Sequence, residues 1–255
     1  MPLDTSSYAL AHLRLDGRRW NELRRLHGQI STQAAADGSS YLEMGNTKIL
    51  CTISGPRETS TRRAGNEQSA EAKIEVEISV AGFSGVDRKR QNRTDKRTAE
   101  MGHAIGRALA DAVFTQLYPR SAIVVTLHVL SADGGVLAAC INAATLALVD
   151  AGVPMRDYVA ACTAGSAGEY GSGEDGEADP LLDLSALEEG ELPFLTVGIT
   201  GEEGGVSVLM LETRVHANRL EGMLAVGVDG CKRIREMLDD IVRAHGKRIL
   251  QKNRT

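Results

Sequence analysis

Three groups of residues have the types and spacing to handle anions. Residues 87–97, DRKRQNRTDKR, hold six basic and two acidic side chains directly before a predicted helix. Cations and free backbone N–H donors would meet there, a suitable place for phosphate. Lys96 and Arg97 close that run. Arg62 and Arg63 form a second basic pair, in a polar loop. Asp133-Gly134-Gly135 stands between a strand-like run and a helix-like one. Successive glycines let the backbone turn sharply and lie close to a ligand or another element, so an anion could rest on the helix that follows.

Other chemistries find little to build on. No GxSxG occurs, and Cys51, Cys140, Cys162 and Cys231 are far apart, in apolar contexts and without a CxxC. Structural thiols in a reducing compartment are expected. The six histidines show no HExxH or paired spacing, which argues against a zinc site. His128 alternates with apolar residues and reads as a core histidine. The DGGV turn lacks a GxGxxG and an acidic residue about 20 positions on, so it is not a dinucleotide fingerprint.

The elements that must position these groups are legible from periodicity. Ile123, Val125, Leu127 and Val129 alternate with Val124, Thr126, His128 and Leu130, a strand apolar on nearly both faces. After the glycines, Ile141, Thr145 and Leu148 recur among alanines and predict a tightly packed helix from about 138 to 150, stopped by Gly152 and Pro154. Upstream, Gly45-Asn46 joins two β-like runs within 41–54. Residues 73–80 alternate Ile74, Val76, Ile78 and Val80 with Lys73, Glu75, Glu77 and Ser79, a half-exposed strand. Thr98 is a candidate cap for a helix with the stripe Met101, Ile105, Leu109, Ala112, Val113 and Leu117. Residues 13–26, LRLDGRRWNELRRL, place Trp20, Leu23 and Leu26 on one helical face, with the arginines solvated. Residues 55–72 read as a polar loop. Two further strands, 194–200 and 206–212, flank a glycine loop, and a long helix runs from about Leu220 to Ile249.

At 255 residues, with 42% hydrophobic, 25% charged and only 4% aromatic side chains, the chain suits one aliphatic-cored globular unit. Its net charge of −5 argues against a generic nucleic-acid binder. No apolar run approaches the ~18 residues of a membrane span, so a soluble, intracellular protein without membrane association is expected. Residues 1–12 read as an N-terminal extension, 13–255 as one domain, and 166–180, SAGEYGSGEDGEADP, as a flexible acidic insertion. The element order predicts a mixed-sheet α/β (α+β) architecture with helices packed on it.

Four blocks carry a resemblance: SSYLEMGNTKILCTISGPRE, DKRTAEMGHAIGRAL, VLSADGGVLAACINAATLALVDAGVPMRDYVAACTAG and LLDLSALEE. Together they resemble the RNase PH family over about Leu13 to His245. Within it the chain is most similar to the eukaryotic exosome ring subunits equivalent to the archaeal catalytic one. The resemblance implies the RNase PH fold, with two related halves. It also implies a ring with other RNase PH-like and cap subunits, single-stranded RNA in its channel and an associated nuclease, located in the nucleus, nucleolus included, and in the cytoplasm.

Active members of the family attack RNA from its 3′ end with inorganic phosphate. Their phosphate turn carries glycine, then serine or threonine, then arginine, where this chain has Gly135, Val136 and Leu137. Valine donates no hydrogen bond and leucine neutralises no anion. Two aspartates follow the Asp183-Leu184 dipeptide in active relatives. Here the first aligns with Glu189 and the second falls in a shortened segment, with Glu191 as a substitute candidate and Asp183 not required for catalysis. The resemblance therefore implies no catalytic residues, no metal and no cofactor, with Arg62, Arg63, Lys96 and Arg97 as RNA contacts. An active phosphate-dependent exoribonuclease is the alternative.

Overall fold

The computed structural model describes residues 13–58, 71–88, 95–167, 179–201 and 205–252. Strands β1 (Leu26–Ile30), β2 (Gly38–Met44), β3 (Thr47–Glu58), β4 (Lys73–Val80) and β5 (Ser121–Ser131) form one sheet in the order β1-β2-β3-β5-β4. Strands β6 (Val159–Ser166), β7 (Pro180–Leu182), β8 (Phe194–Thr200) and β9 (Gly205–Leu211) form a second, in the order β7-β6-β8-β9. Among the described residues, only β4 and β5 pair in parallel; the other pairs are antiparallel. The helices are α1 (Lys96–Ala112), α2 (Val136–Asp150), α3 (Ala186–Glu191) and α4 (Ala217–Lys252).

Helix α2 is the centre of the molecule. It packs on β2 and β3 of the first sheet and on β6 of the second. An ordinary surface helix shows one apolar stripe, whereas a helix apolar all round must be enclosed. From Leu137 to Leu148 every residue of α2 is buried, and its alanines and Cys140 let both sheets approach closely. Its two polar interior residues are satisfied. Asn142 donates from Nδ2 to the Ala161 carbonyl at 2.9 Å and accepts from the Ala161 N–H at 2.8 Å. Thr145 donates to the Val159 carbonyl at 2.8 Å. These bonds pin α2 to β6, since an unpaired buried amide or hydroxyl is costly. Gly38 is equally constrained from the other side, because a Cβ there would lie 2.4 Å from the Ala147 carbonyl oxygen.

The expected strands fall where the alternation placed them, and the Gly45-Asn46 turn joins β2 to β3. The expected loop at 55–72 starts later, since Arg57 and Glu58 still pair with β5; residues 59–70 lie outside the described residues. Helix α1 begins at Lys96, two residues before the expected cap Thr98, with Asp95 as its N-cap. It ends at Ala112, because Val113 leaves it to pair with Met155. Two expectations are corrected. Residues 13–25 form turns and extended chain, not a helix, and two of the arginines read as solvated, Arg14 and Arg24, are buried. The cause is long-range pairing: these arginines satisfy groups on the segment 182–188, as described below. His128 lies on the half-buried second face of the first sheet, beside Thr126, while Val125, Leu127 and Val129 fill the core. Residues 168–178, most of the expected acidic insertion, lie outside the described residues, as does the expected N-terminal extension; the ends of the insertion are held where Ser166 pairs with Pro180.

Candidate functional site

The site forms where the Asp133-Gly134-Gly135 turn meets the N-terminus of α2, the N-terminal wrap and the segment leading into α3. Arg24 is its organiser. Its backbone N–H donates to Asp183 Oδ2 at 2.8 Å and its Nη2 to Asp183 Oδ1 at 2.7 Å. The same guanidinium donates to the Asp133 carbonyl and, at 3.3 Å, to the Gly134 carbonyl. Glycine is required on both sides of this side chain. A Cβ on Gly135 would lie 2.9 Å from Arg24 Nη2, and one on Gly45 would lie 2.7 Å from Arg24 Cδ. Burial disfavours the charged guanidinium, but Asp183 outweighs that and holds Arg24 above its ordinary pKa.

Thr47 ties the turn down from the other side, donating to the Gly134 carbonyl at 2.7 Å and accepting the Asp133 N–H at 3.1 Å. Asn46 donates to Asp133 Oδ2 at 3.0 Å, so the β2–β3 hairpin and the glycine turn are one unit. Asp183 itself has φ of +53°, in the left-handed region, and Arg14 and Arg18 both donate to its carbonyl at 2.9 Å. Arg14 also pairs with Glu188, donating to Oε1 at 2.8 Å. Glu188 reaches back to the Ser185 N–H at 2.8 Å, which secures the start of α3. Burial pushes the Glu188 carboxyl up, yet the Arg14 guanidinium and the Ser185 donors leave it below the usual carboxylate range.

At the head of α2 the chain supplies its own anion. The Gly135 N–H donates to Glu189 Oε1 at 2.6 Å. The next two residues are Val136 and Leu137, which bring no hydroxyl and no cation, and Leu137 is buried in the core. Burial pushes the Glu189 carboxyl up, against the opposing pull of the Gly135 N–H, Arg24 and Arg97. Arg97, in the first turn of α1, is therefore within electrostatic reach of this carboxylate. It is 67% exposed and pairs with Glu212 at 3.1 Å. Lys96 beside it is exposed. Arg62 and Arg63 lie outside the described residues. Among the described residues no group of three or more His, Cys, Asp or Glu side chains converges as a metal site requires.

Sequence reasoning missed Arg14, Arg18 and Arg24, which tie the N-terminal wrap to Asp183. The available signal was the pair of glycine turns, Gly45-Asn46 and Gly134-Gly135, that make room for one long side chain.

Comparison with known proteins agrees with this geometry. The family model RNase_PH, described as 3′ exoribonuclease family, domain 1, matches residues 22–154. The exosome complex component SKI6 of Saccharomyces cerevisiae is 38% identical over 243 residues, covering 94% of this chain and 94% of that protein. The human exosome complex component RRP41 is 41% identical over 233 residues, covering 91% of each. Among solved structures, rice Rrp46 superposes with a TM-score of 0.72 at 25% identity, covering 89% of this chain and 98% of that one. A chain of the Archaeoglobus fulgidus exosome with RNA bound to the active site superposes with a TM-score of 0.74 at 19% identity, covering 91% and 96%, and shares the fold. A family model spanning more than half of the sequence, near-complete relatives and the two-sheet architecture around α2 agree: the chain belongs to the RNase PH family.

Proposed function

We propose that this chain is a non-catalytic ring subunit of the RNA exosome, helping to form the channel that threads single-stranded RNA during 3′→5′ processing and decay. The observation that carries the reading is the head of α2. Phosphorolysis must hold a free phosphate beside an RNA phosphate, two anions close together, which demands cations and donors aimed at the incoming oxyanion. Here the side chains of Val136 and Leu137 supply neither, and the Gly135 N–H already serves a carboxylate. Losing one preorganised anion donor typically costs about 10²–10³ in rate, and here both a hydroxyl and a guanidinium are lacking.

Ring membership is supported by the exosome components aligned along nearly the whole chain. It is supported also by Val206, Leu209 and Leu211, exposed apolar residues on β9 at the edge of its sheet, a surface a neighbouring subunit would cover. Arg62, Arg63, Lys96 and Arg97 would line the RNA path, with other RNase PH-like and cap subunits and an associated nuclease as partners. The location is nuclear, nucleolus included, and cytoplasmic. The test is incubation of the assembled complex, freed of associated nucleases, with RNA, phosphate and magnesium. No nucleoside diphosphate is expected; diphosphate release that depends on this subunit overturns the reading.

A further inference from the structure

We infer that Phe83 is a stacking platform for a base of single-stranded RNA, held at the end of the first sheet where β4 and β5 finish. The inference rests on the reading of this chain as an RNA-threading subunit and names one side chain that meets the strand. Phe83 is 70% exposed on the loop 81–88, AGFSGVDR, that follows β4. The loop is tied down on both sides of it. The Ala81 N–H donates to the Val129 carbonyl at 3.0 Å, and the Ser84 N–H to the Ala81 carbonyl at 2.9 Å. The Ser84 carbonyl in turn accepts from the Ala132 N–H at 2.9 Å. The ring is therefore presented to solvent from a fixed backbone, with only two side-chain torsions left to order on binding.

Cations reach the same end of the sheet. A Cβ on Gly102 would lie 3.5 Å from the Val76 carbonyl oxygen, and one on Gly106 3.9 Å from that of Ile74, so α1 runs antiparallel to β4. Its first residues, Lys96 and Arg97, therefore lie toward the end of β4 from which the loop departs. Arg97 is engaged by Glu212, but Lys96 and Arg88 are exposed and make no ion pair among the described residues.

Single-stranded RNA alternates phosphates with bases whose apolar faces are uncovered, and an aromatic ring flanked by cations matches that alternation. Stacking accepts every base, since each has a π-face, which suits a path that must pass any sequence. A subunit contact fits this loop less well. Of its exposed residues only Phe83 and Val86 are apolar, with Gly85, Asp87 and Arg88 beside them, far short of the roughly 800 Å² per partner that a stable interface covers.

The test measures the affinity of the assembled ring, freed of associated nucleases, for single-stranded RNA in wild type, Phe83→Ala, Phe83→Leu and Phe83→Tyr. Phe83→Ala should weaken binding roughly 5- to 150-fold, and Phe83→Tyr, which keeps the ring, should stay within about twofold of wild type. Phe83→Leu keeps an apolar side chain without a π-face and should fall toward the alanine variant. The slope of log affinity against log salt should not change, because an aromatic side chain releases no counterions. A series of RNAs with one abasic site each locates the contact: at one position the missing base should cost wild type affinity and cost Phe83→Ala nothing further. Wild-type affinity in Phe83→Ala or Phe83→Leu, or no such position in the series, overturns the inference and leaves the RNA-threading reading standing. Failure of the ring to assemble with Phe83→Ala and Phe83→Leu makes Phe83 a subunit contact and also overturns it. Absence of RNA binding by the wild-type ring overturns both.

Discussion

Replacing Asp183 with asparagine should be among the most damaging single-atom-scale changes available in this chain. Asparagine keeps the size of the side chain and tolerates the left-handed backbone that Asp183 adopts, so the substitution isolates the charge. Asp183 is 1% exposed and accepts two hydrogen bonds from Arg24, while Arg18 Nη1 lies 3.9 Å from it. Without the carboxylate, the Arg24 guanidinium stays buried and unpaired, and one of its former donors faces an amide NH₂. Breaking a buried pair in this way costs about 3–5 kcal/mol. For a domain of this size each kcal/mol lowers the melting temperature by roughly 2–4 °C, so a fall of about 6–20 °C is expected. The assay is thermal and urea unfolding of wild type, Asp183→Asn, Arg24→Met and the Arg24→Met/Asp183→Asn pair. The double variant should be less damaged than the sum of the singles by about 2–3 kcal/mol, because two mutually dependent charges leave together. It will not recover fully, since Arg24 also holds the Asp133 and Gly134 carbonyls. Strict additivity, or a loss below about 1 kcal/mol for Asp183→Asn, would refute the account of Arg24 and Asp183 as one unit.

Further outcomes concern RNA, pH, the glycine turn and the thiols. Changing Arg62, Arg63, Lys96 and Arg97 together to glutamate should flatten the slope of log RNA affinity against log salt by up to about 3, at roughly 0.7 per phosphate contact, with all sequences weakened alike. An unchanged slope in an intact ring removes these residues from the RNA path. Glu188, held below its ordinary pKa, contributes stability that is present above the unfolded value near 4.5 and lost as pH falls through the folded one. Glu188→Gln should therefore make the acid-side loss of stability shallower; Glu189, displaced upward, contributes in the opposite sense, below that range. Gly134→Ala should destabilise the fold by at least about 1–3 kcal/mol, because φ is +76° there and the new Cβ would lie 2.5 Å from the Leu184 carbonyl oxygen. All four cysteines are buried, and burial pushes Cys140 and Cys231 to about 12 and Cys51 and Cys162 upward, so a disulfide reagent should label none before unfolding.

Local pattern was enough where local chemistry decides. The alternation of 73–80, the Gly45-Asn46 turn and the Gly152-Pro154 stop each encode their element within a few residues, and β4, the β2–β3 hairpin and the end of α2 follow them. Residues 13–25 were misread because their partners are far away: Arg14 meets Glu188, and Arg24 meets Asp183, across more than 150 positions. A helical spacing of Trp20, Leu23 and Leu26 cannot compete with two buried ion pairs that demand an extended wrap. The basic residues at the start of α1 were visible as a charge run. The seating of Glu189 on Gly135 was not visible in local pattern, since the contact arises only when α3 folds against the glycine turn; only the alignment of Glu189 with an aspartate of active relatives pointed to the same site.

The enclosure of α2 sets a timetable for synthesis. One side of this helix is covered by strands made before it, but the other is covered by β6 and β8, which end at Ser166 and Thr200. A nascent chain carrying only the first sheet would display the remaining face of α2, with Asn142, Thr145 and their neighbours, to whatever surrounds the ribosome. Helix α4 must then close over β6 and β8 from outside, and it is the last element to emerge. The two sheets therefore cannot mature as successive independent units. The first must wait, unfinished, until β6, β8 and α4 have been made, and chaperone occupancy should persist until α4 is free to pack.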